Sequence, residues 1–176
     1  NKISRITKDF GIYEDVPELL SVSLGSAETT LVKLTNAYCT FVNGGKKVTP
    51  IFIDRIQDRR GKTIFNADKR KCLGCEEISY LKDEIPLIQD DRKQIISSET
   101  AYQITSMMEG VVERGTAKSL KQLQIPLAGK TGTTNDNKDA WFIGYTPNLV
   151  IGIYVGYDTP KSLGFKQTGS SVAVPI

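Results

Sequence analysis

Between Gln124 and Asp158 the chain reads QIPLAGKTGTTNDNKDAWFIGYTPNLVIGIYVGYD. No other stretch narrows the choice of fold so far. Three apolar, β-prone runs are separated by short polar segments, which predicts three consecutive antiparallel strands at residues 125–131, 140–145 and 149–157. Thr146-Pro147-Asn148 has turn chemistry, because Pro presets φ and Asn tolerates the left-handed region. The third run is apolar on both faces, which predicts an interior strand. The first is expected to end in Gly129-Lys130-Thr131-Gly132-Thr133-Thr134. That places an ammonium, several hydroxyls and two positions without side chains at one sheet margin.

A fixed ammonium flanked by hydroxyl donors suits a carboxylate or another oxyanion. Gly132 lacks the Cβ that would hold a substrate backbone off the strand. A phosphate loop is the nearest alternative, but its pattern needs a glycine where Gln124 stands and a helix after the lysine. Neither is found here. Lys-Thr-Gly alone is equally a surface lysine beside a glycine turn.

The remaining chain supplies helices to cover such a sheet. Residues 26–42 show one apolar stripe of Leu31, Leu34, Tyr38, Phe41 and Val42, with Ser26 expected as N-cap. A second stripe of Ala101, Ile104, Met107, Met108, Val111 and Val112 predicts a helix over 97–114, capped by Ser97 or Ser98 and closed by Gly115. Ile3, Ile6 and Phe10 lie at helical spacing before Gly11. Residues 48–57 and 62–65 predict a hairpin around Asp58-Arg59-Arg60-Gly61. Residues 66–93 are charged and aperiodic, which predicts an inserted loop excursion. The resulting class is α+β, an antiparallel sheet packed with helices.

Composition removes several chemistries. The 176 residues contain no histidine, so Ser-His-Asp catalysis and His-ligated metal sites are excluded from this chain alone. The 23 basic and 20 acidic residues nearly cancel, which gives no case for a nucleic-acid partner. Cys39 falls on a helical stripe, as a small hydrophobe does. Cys72-Leu-Gly-Cys75 is one CxxC, too few ligands for a four-cysteine zinc site. A local disulfide and two free thiols both remain open. The chain begins at Asn1 and stops on an apolar run at Ile176, and it reads as a piece of a longer protein.

Several segments together carry a resemblance. Gly110-Val-Val-Glu-Arg-Gly-Thr-Ala117, Leu127-Ala-Gly-Lys-Thr-Gly-Thr-Thr134 and Asp139-Ala-Trp-Phe-Ile-Gly-Tyr145 are similar to the C-terminal half of a penicillin-binding protein transpeptidase domain. So are Ser23-Leu-Gly-Ser26 with Glu28-Thr29-Thr30, Phe41-Val-Asn-Gly-Gly45 and Thr168-Gly-Ser-Ser-Val-Ala-Val-Pro-Ile176. The class A, bifunctional cell-wall enzymes resemble it most. Lys-Thr-Gly is one of three signatures of the penicillin-binding and serine β-lactamase group. Of the other two, Ser-x-Asn is absent. The single serine with a lysine three residues later, in Ser79-Tyr80-Leu81-Lys82, falls in the charged 66–93 segment and not before the helix that ends at Phe10, where the family carries its nucleophile.

The resemblance implies a serine D,D-transpeptidase fold in which this chain carries one wall of the site and lacks the nucleophile. Lys130, Thr131 and Gly132 are then the catalytic candidates. Thr133, Thr134 and Trp141 are the substrate-binding candidates. Thr131 and Thr133 would meet the substrate's terminal carboxylate, and a main-chain N–H just past Thr133 would complete an oxyanion hole. Asp139 and Trp141 would shape the groove, or serve only as a strand-start residue and a packed ring. Stem peptides of peptidoglycan and β-lactams are the implied partners, with no cofactor and no metal. The implied setting is the periplasmic face of a bacterial inner membrane, reached through a segment outside this chain, in a parent that also carries a glycosyltransferase. A β-lactam sensor, a serine β-lactamase and a non-catalytic binding module are the alternatives.

Overall fold

The computed structural model describes residues 2–16, 19–70, 72–73 and 87–176. Backbone contacts divide the chain into two units, Asn1–Val48 with Lys93–Ile176, and Thr49–Arg92.

In the smaller unit, β1 (Arg55–Gln57) pairs antiparallel with β2 (Thr63–Asn66). The Asp58 carboxylate accepts the Arg60 and Lys62 amides at 2.8 and 3.0 Å, and Gly61 takes φ 81°. This is the hairpin expected around Asp58, but only the last three residues of the 48–57 run are paired strand. The expected loop over 66–93 also carries structure: β3 (Cys72–Leu73) and β4 (Leu87–Ile88) form a second short ladder. Cys75 lies outside the described residues, so the state of the CxxC pair does too. On this exposed surface the Arg70 guanidinium holds the Asp68 carboxyl at a pKa of about 2.

Among its described residues the larger unit has three α-helices and one three-stranded sheet. Helix α1 (Lys2–Asp9) stops at Gly11, whose φ is 74°. Helix α2 (Leu31–Val42) begins at the first residue of its apolar stripe, with a cap four residues later than the expected Ser26. Gly25, at φ 84°, closes a 3₁₀ turn over Leu20–Leu24, and the Ser26 amide still bonds back to Ser21. Ser26 therefore belongs to the exit of that turn. Thr30 is the cap, its hydroxyl accepting the Lys33 amide at 3.2 Å. Helix α3 (Ser98–Glu113) forms where expected, with the Ser97 hydroxyl accepting from the Thr100 amide.

The sheet is a meander of β5 (Ala128–Thr133), β6 (Ala140–Thr146) and β7 (Leu149–Val155), in that spatial order. Gln124 caps a 3₁₀ turn over Lys118–Leu123 with φ 53°, and Pro126 has no amide to donate. Strand β5 thus starts three residues later than predicted and runs through Lys130-Thr131-Gly132 instead of ending there. The interior strand is β6, not β7. Each face of β7 nonetheless reaches a core, Val150 on one side and Ile153 and Val155 on the other, while Leu149, Ile151 and Tyr154 stay exposed. Core contacts on two faces make a strand apolar all round even where, as here among the described residues, it pairs with a single neighbour.

Strand alternation sends successive β6 side chains to opposite faces. Tyr145 packs with Met108, Ala128, Tyr38, Phe41 and Ile104. Ala140 and Phe142 pack with Val112, Ala117, Ala173 and Val174. A π turn at Gly169–Ala173 and the residue that caps it, Val174, supply the last two contacts. Its first residue lies directly on the β5–β6 ladder: a Cβ at Gly169 would stand 2.5 Å from the Trp141 carbonyl oxygen and 2.6 Å from that of Gly132.

These contacts carry two expected outcomes. Gly169→Ala forces the turn off a backbone that cannot yield, and should cost about 2 kcal/mol in urea unfolding. Gly110→Ala meets only the mobile end of Arg114, so it should be neutral or stabilise α3 by up to about 1 kcal/mol. Burial first, and the neighbouring Tyr145 second, push the Tyr38 phenol up to about 12. A raised folded-state pKa means this contribution is intact below the ordinary phenol value near 10 and is lost as pH climbs through 12. Tyr38→Phe should remove one late step from the tyrosinate absorbance titration of the folded chain.

Candidate active site

Strand β5 has one partner, β6, among the described residues, so its other margin is open. The Thr134 amide donates to the Asp139 carbonyl at 3.0 Å, which fixes the phase of the ladder. In an antiparallel pair the main-chain groups point alternately toward and away from the partner. Residues in phase with Thr134 bond inward, as Gly132 does toward Trp141. The amides and carbonyls of Thr131 and Thr133 therefore face the open margin.

Side chains alternate on the same strand. Lys130 and Gly132 share a face with Trp141, and Thr131 and Thr133 share the opposite one. The ammonium and the hydroxyls, adjacent in sequence, are thus separated by the strand itself. Lys130 is exposed and reaches round the margin, its Nζ donating to the Thr131 carbonyl at 2.7 Å. A Cβ at Gly132 would lie 3.3 Å from the Trp141 Cβ. The space that glycine leaves is therefore next to the indole, on the lysine's face.

On the hydroxyl face each oxygen has a partner. The Thr131 and Thr116 hydroxyls are 2.7 Å apart. Thr133 Oγ1 accepts the Gly169 amide at 3.0 Å. The Ser170 hydroxyl donates to the Thr116 carbonyl, tying the π turn to the segment after α3. Thr116, Gly169 and Ser170 lie in segments that carry the family resemblance, but the sequence assigns them no individual role, because only the fold brings residues 116, 131 and 170 together.

Thr134 serves the loop. Its hydroxyl accepts the Asp139 amide at 2.8 Å and lies 3.2 Å from that residue's carboxylate. Its own amide is taken by Asp139, so the N–H expected to complete an oxyanion hole just past Thr133 is spent within the turn. Asp139 also accepts the Tyr154 hydroxyl at 2.8 Å. That bond, more than burial, raises the Tyr154 pKa. The Tyr154 ring tilts against Trp141 with centroids 4.7 Å apart, and the indole stays half-buried.

A cavity of about 300 Å³ lies toward the other end of β5, among Phe41, Ala101, Thr105, Ala128 and Tyr145. Lys130 does not line it. Among the described residues no group of three or more His, Cys, Asp or Glu could hold a metal ion, and no helix is long and apolar enough to cross a membrane.

Known proteins resemble this chain in sequence and in fold. Residues 13–176 match the penicillin binding protein transpeptidase domain. Penicillin-binding protein 1A of Rickettsia typhi is 49% identical over 99% of this chain, which spans 22% of that protein. The Pseudomonas aeruginosa protein of the same name is 35% identical over 99% of the chain and 25% of its own length. The crystal structure of penicillin-binding protein 1A from Haemophilus influenzae superposes with a TM-score of 0.78 at 31% identity, covering 96% of this chain and 28% of that one. With the matched region reaching from before α2 to the last residue, the chain belongs to the penicillin-binding protein transpeptidase domain family.

Proposed function

We propose that this chain forms the Lys-Thr-Gly wall of a serine D,D-transpeptidase site and that the attacking serine lies in a part of the protein outside it. The observation that carries this reading is the open margin of β5, which presents Lys130, Thr131 and Thr133 together with main-chain groups that no neighbouring strand takes up among the described residues. Such a margin accepts an extended peptide as an added strand, with main-chain hydrogen bonds for affinity. The acyl donor would be a stem peptide ending in D-Ala-D-Ala, or a β-lactam in its place.

In this reading the serine oxygen attacks the penultimate carbonyl, the C–N bond breaks, and terminal D-Ala leaves as the amine. The Thr133 amide, facing the open margin, serves as one oxyanion donor beside the serine's own amide. Thr131 and Thr133 hydroxyls donate to the terminal carboxylate. Lys130 supplies positive potential near the reacting centre, and Gly132 lets the donor's backbone approach. Trp141 forms part of the groove wall. Thr134 acts on binding through the loop it closes with Asp139. The parent would attach to the inner membrane, face the periplasm and carry a glycosyltransferase elsewhere. No cofactor takes part.

A fluorescent penicillin tests the assignment. The full-length parent should be labelled covalently, and this chain alone should stay unlabelled. Labelling of the isolated chain would place a nucleophile within it and end the reading. Lys130→Ala in the parent should slow acylation about a hundredfold while leaving the unfolding midpoint unchanged, since the side chain is exposed.

A further inference from the structure

The two hydroxyls assigned to the carboxylate are both already hydrogen-bonded, and the direction of those bonds is informative. A main-chain amide can only donate. Thr133 Oγ1 therefore receives the Gly169 proton at 3.0 Å, and its own proton stays available to another acceptor. Thr131 Oγ1 stands 2.7 Å from Thr116 Oγ1, a pair in which either oxygen can donate. An anion at the open margin accepts hydrogen bonds and offers none. It admits one arrangement: Thr116 donates to Thr131, and Thr131 donates to the anion. Chains of this kind polarise each successive donor. Thr116 is in turn held by the Ser170 hydroxyl on its carbonyl, from the same π turn that supplies the Gly169 amide.

We propose that Thr116 and the Gly169 amide are positioning groups that make Thr131 and Thr133 committed donors, and so set a preference for acyl donors with a free carboxylate. This deepens the transpeptidase reading above and rests on it. Neither group touches the substrate. Each fills an acceptor site on a hydroxyl, which leaves that hydroxyl one task. A neutral ester in place of the carboxylate gains far less from such a donor, because hydrogen bonds to charged groups are roughly twice as strong as neutral ones.

The test uses the full-length parent and two acyl donors, a penicillin with its free carboxylate and the same penicillin as its methyl ester. Thr116→Val keeps the shape and removes the hydroxyl. It should lower the acylation rate constant for the acid about tenfold and change that for the ester less than about twofold. Thr116→Ser should restore the acid rate. Ser170→Ala leaves the strand untouched, so it serves even if the valine variant fails to fold; it should lower the acid rate about threefold, again sparing the ester. Equal losses on both donors, or no loss on either, would overturn the positioning role. Thr131→Val separates the two levels. If it discriminates acid from ester while the Thr116 and Ser170 variants do not, the positioning proposal falls alone. If it discriminates nothing, the carboxylate assignment itself falls.

Discussion

The register of β5 on β6 decides what this chain can present. Strand side chains repeat every two residues, so a slip of one would move Lys130 to the hydroxyl face and both threonines to the other. It would also turn the Thr131 and Thr133 amides from the open margin into the ladder. Three contacts oppose that slip. The Thr134–Asp139 clasp closes the end of the pair with three hydrogen bonds. The Gly169 backbone rests on Gly132 and Trp141 with no room for a side chain. The Phe142 ring lies across Gly129 and Gly144 on one face, filling space that a Cβ at either position would claim. The same pairs that bury Ala140 and Phe142 therefore fix the polar groups at the margin.

Much of this was legible in the residues. The three strand runs, helix α3 with its Ser97 cap and the Asp58 hairpin follow from local pattern and local capping. What the sequence left hidden depends on distant contacts. Helix α2 starts at Leu31 because Gly25 is occupied in closing the preceding turn, a competition that a helical stripe does not reveal. Strand β7 is apolar all round because Val150 and Ile153 meet different cores, and the pattern does not distinguish that from two strand neighbours. At the site, Lys130, Thr131, Gly132 and Thr133 were visible as a cluster. Their division between two faces follows from the strand period, but only once the strand is known to run through them. Thr116, Gly169 and Ser170 carry no motif chemistry, and proximity alone gives them a part.

The two faces of β5 are built for different tasks. Behind Lys130 stand Trp141, Tyr154 and Asp139, a stack joined by ring contact and one charge-assisted hydrogen bond that raises the Tyr154 pKa. It holds the indole in place beside Gly132. Behind the threonines stand a helix exit and a π turn: the Thr116 hydroxyl is paired with that of Thr131, and the Gly169 amide donates to that of Thr133. A rigid apolar wall and a polar scaffold therefore meet at one strand, and the loop between β5 and β6 belongs to both.

Attraction and geometry are consequently supplied by different residues. A lysine ammonium is a compact charge on a flexible stem. Lys130 bends back to a carbonyl of its own strand, an arrangement that one competing anion oxygen can displace. Its field reaches a ligand without fixing the ligand's orientation. Hydroxyls on β-branched residues are the opposite case: their χ1 is stiff, and a hydrogen bond received from the protein removes the rotor's remaining freedom. Preorganised donors lose little entropy when a ligand arrives, and that saving appears as affinity. In the proposed site the charge would draw in an anion of any shape, whereas the two threonines, one amide and one further hydroxyl would define where its oxygens sit.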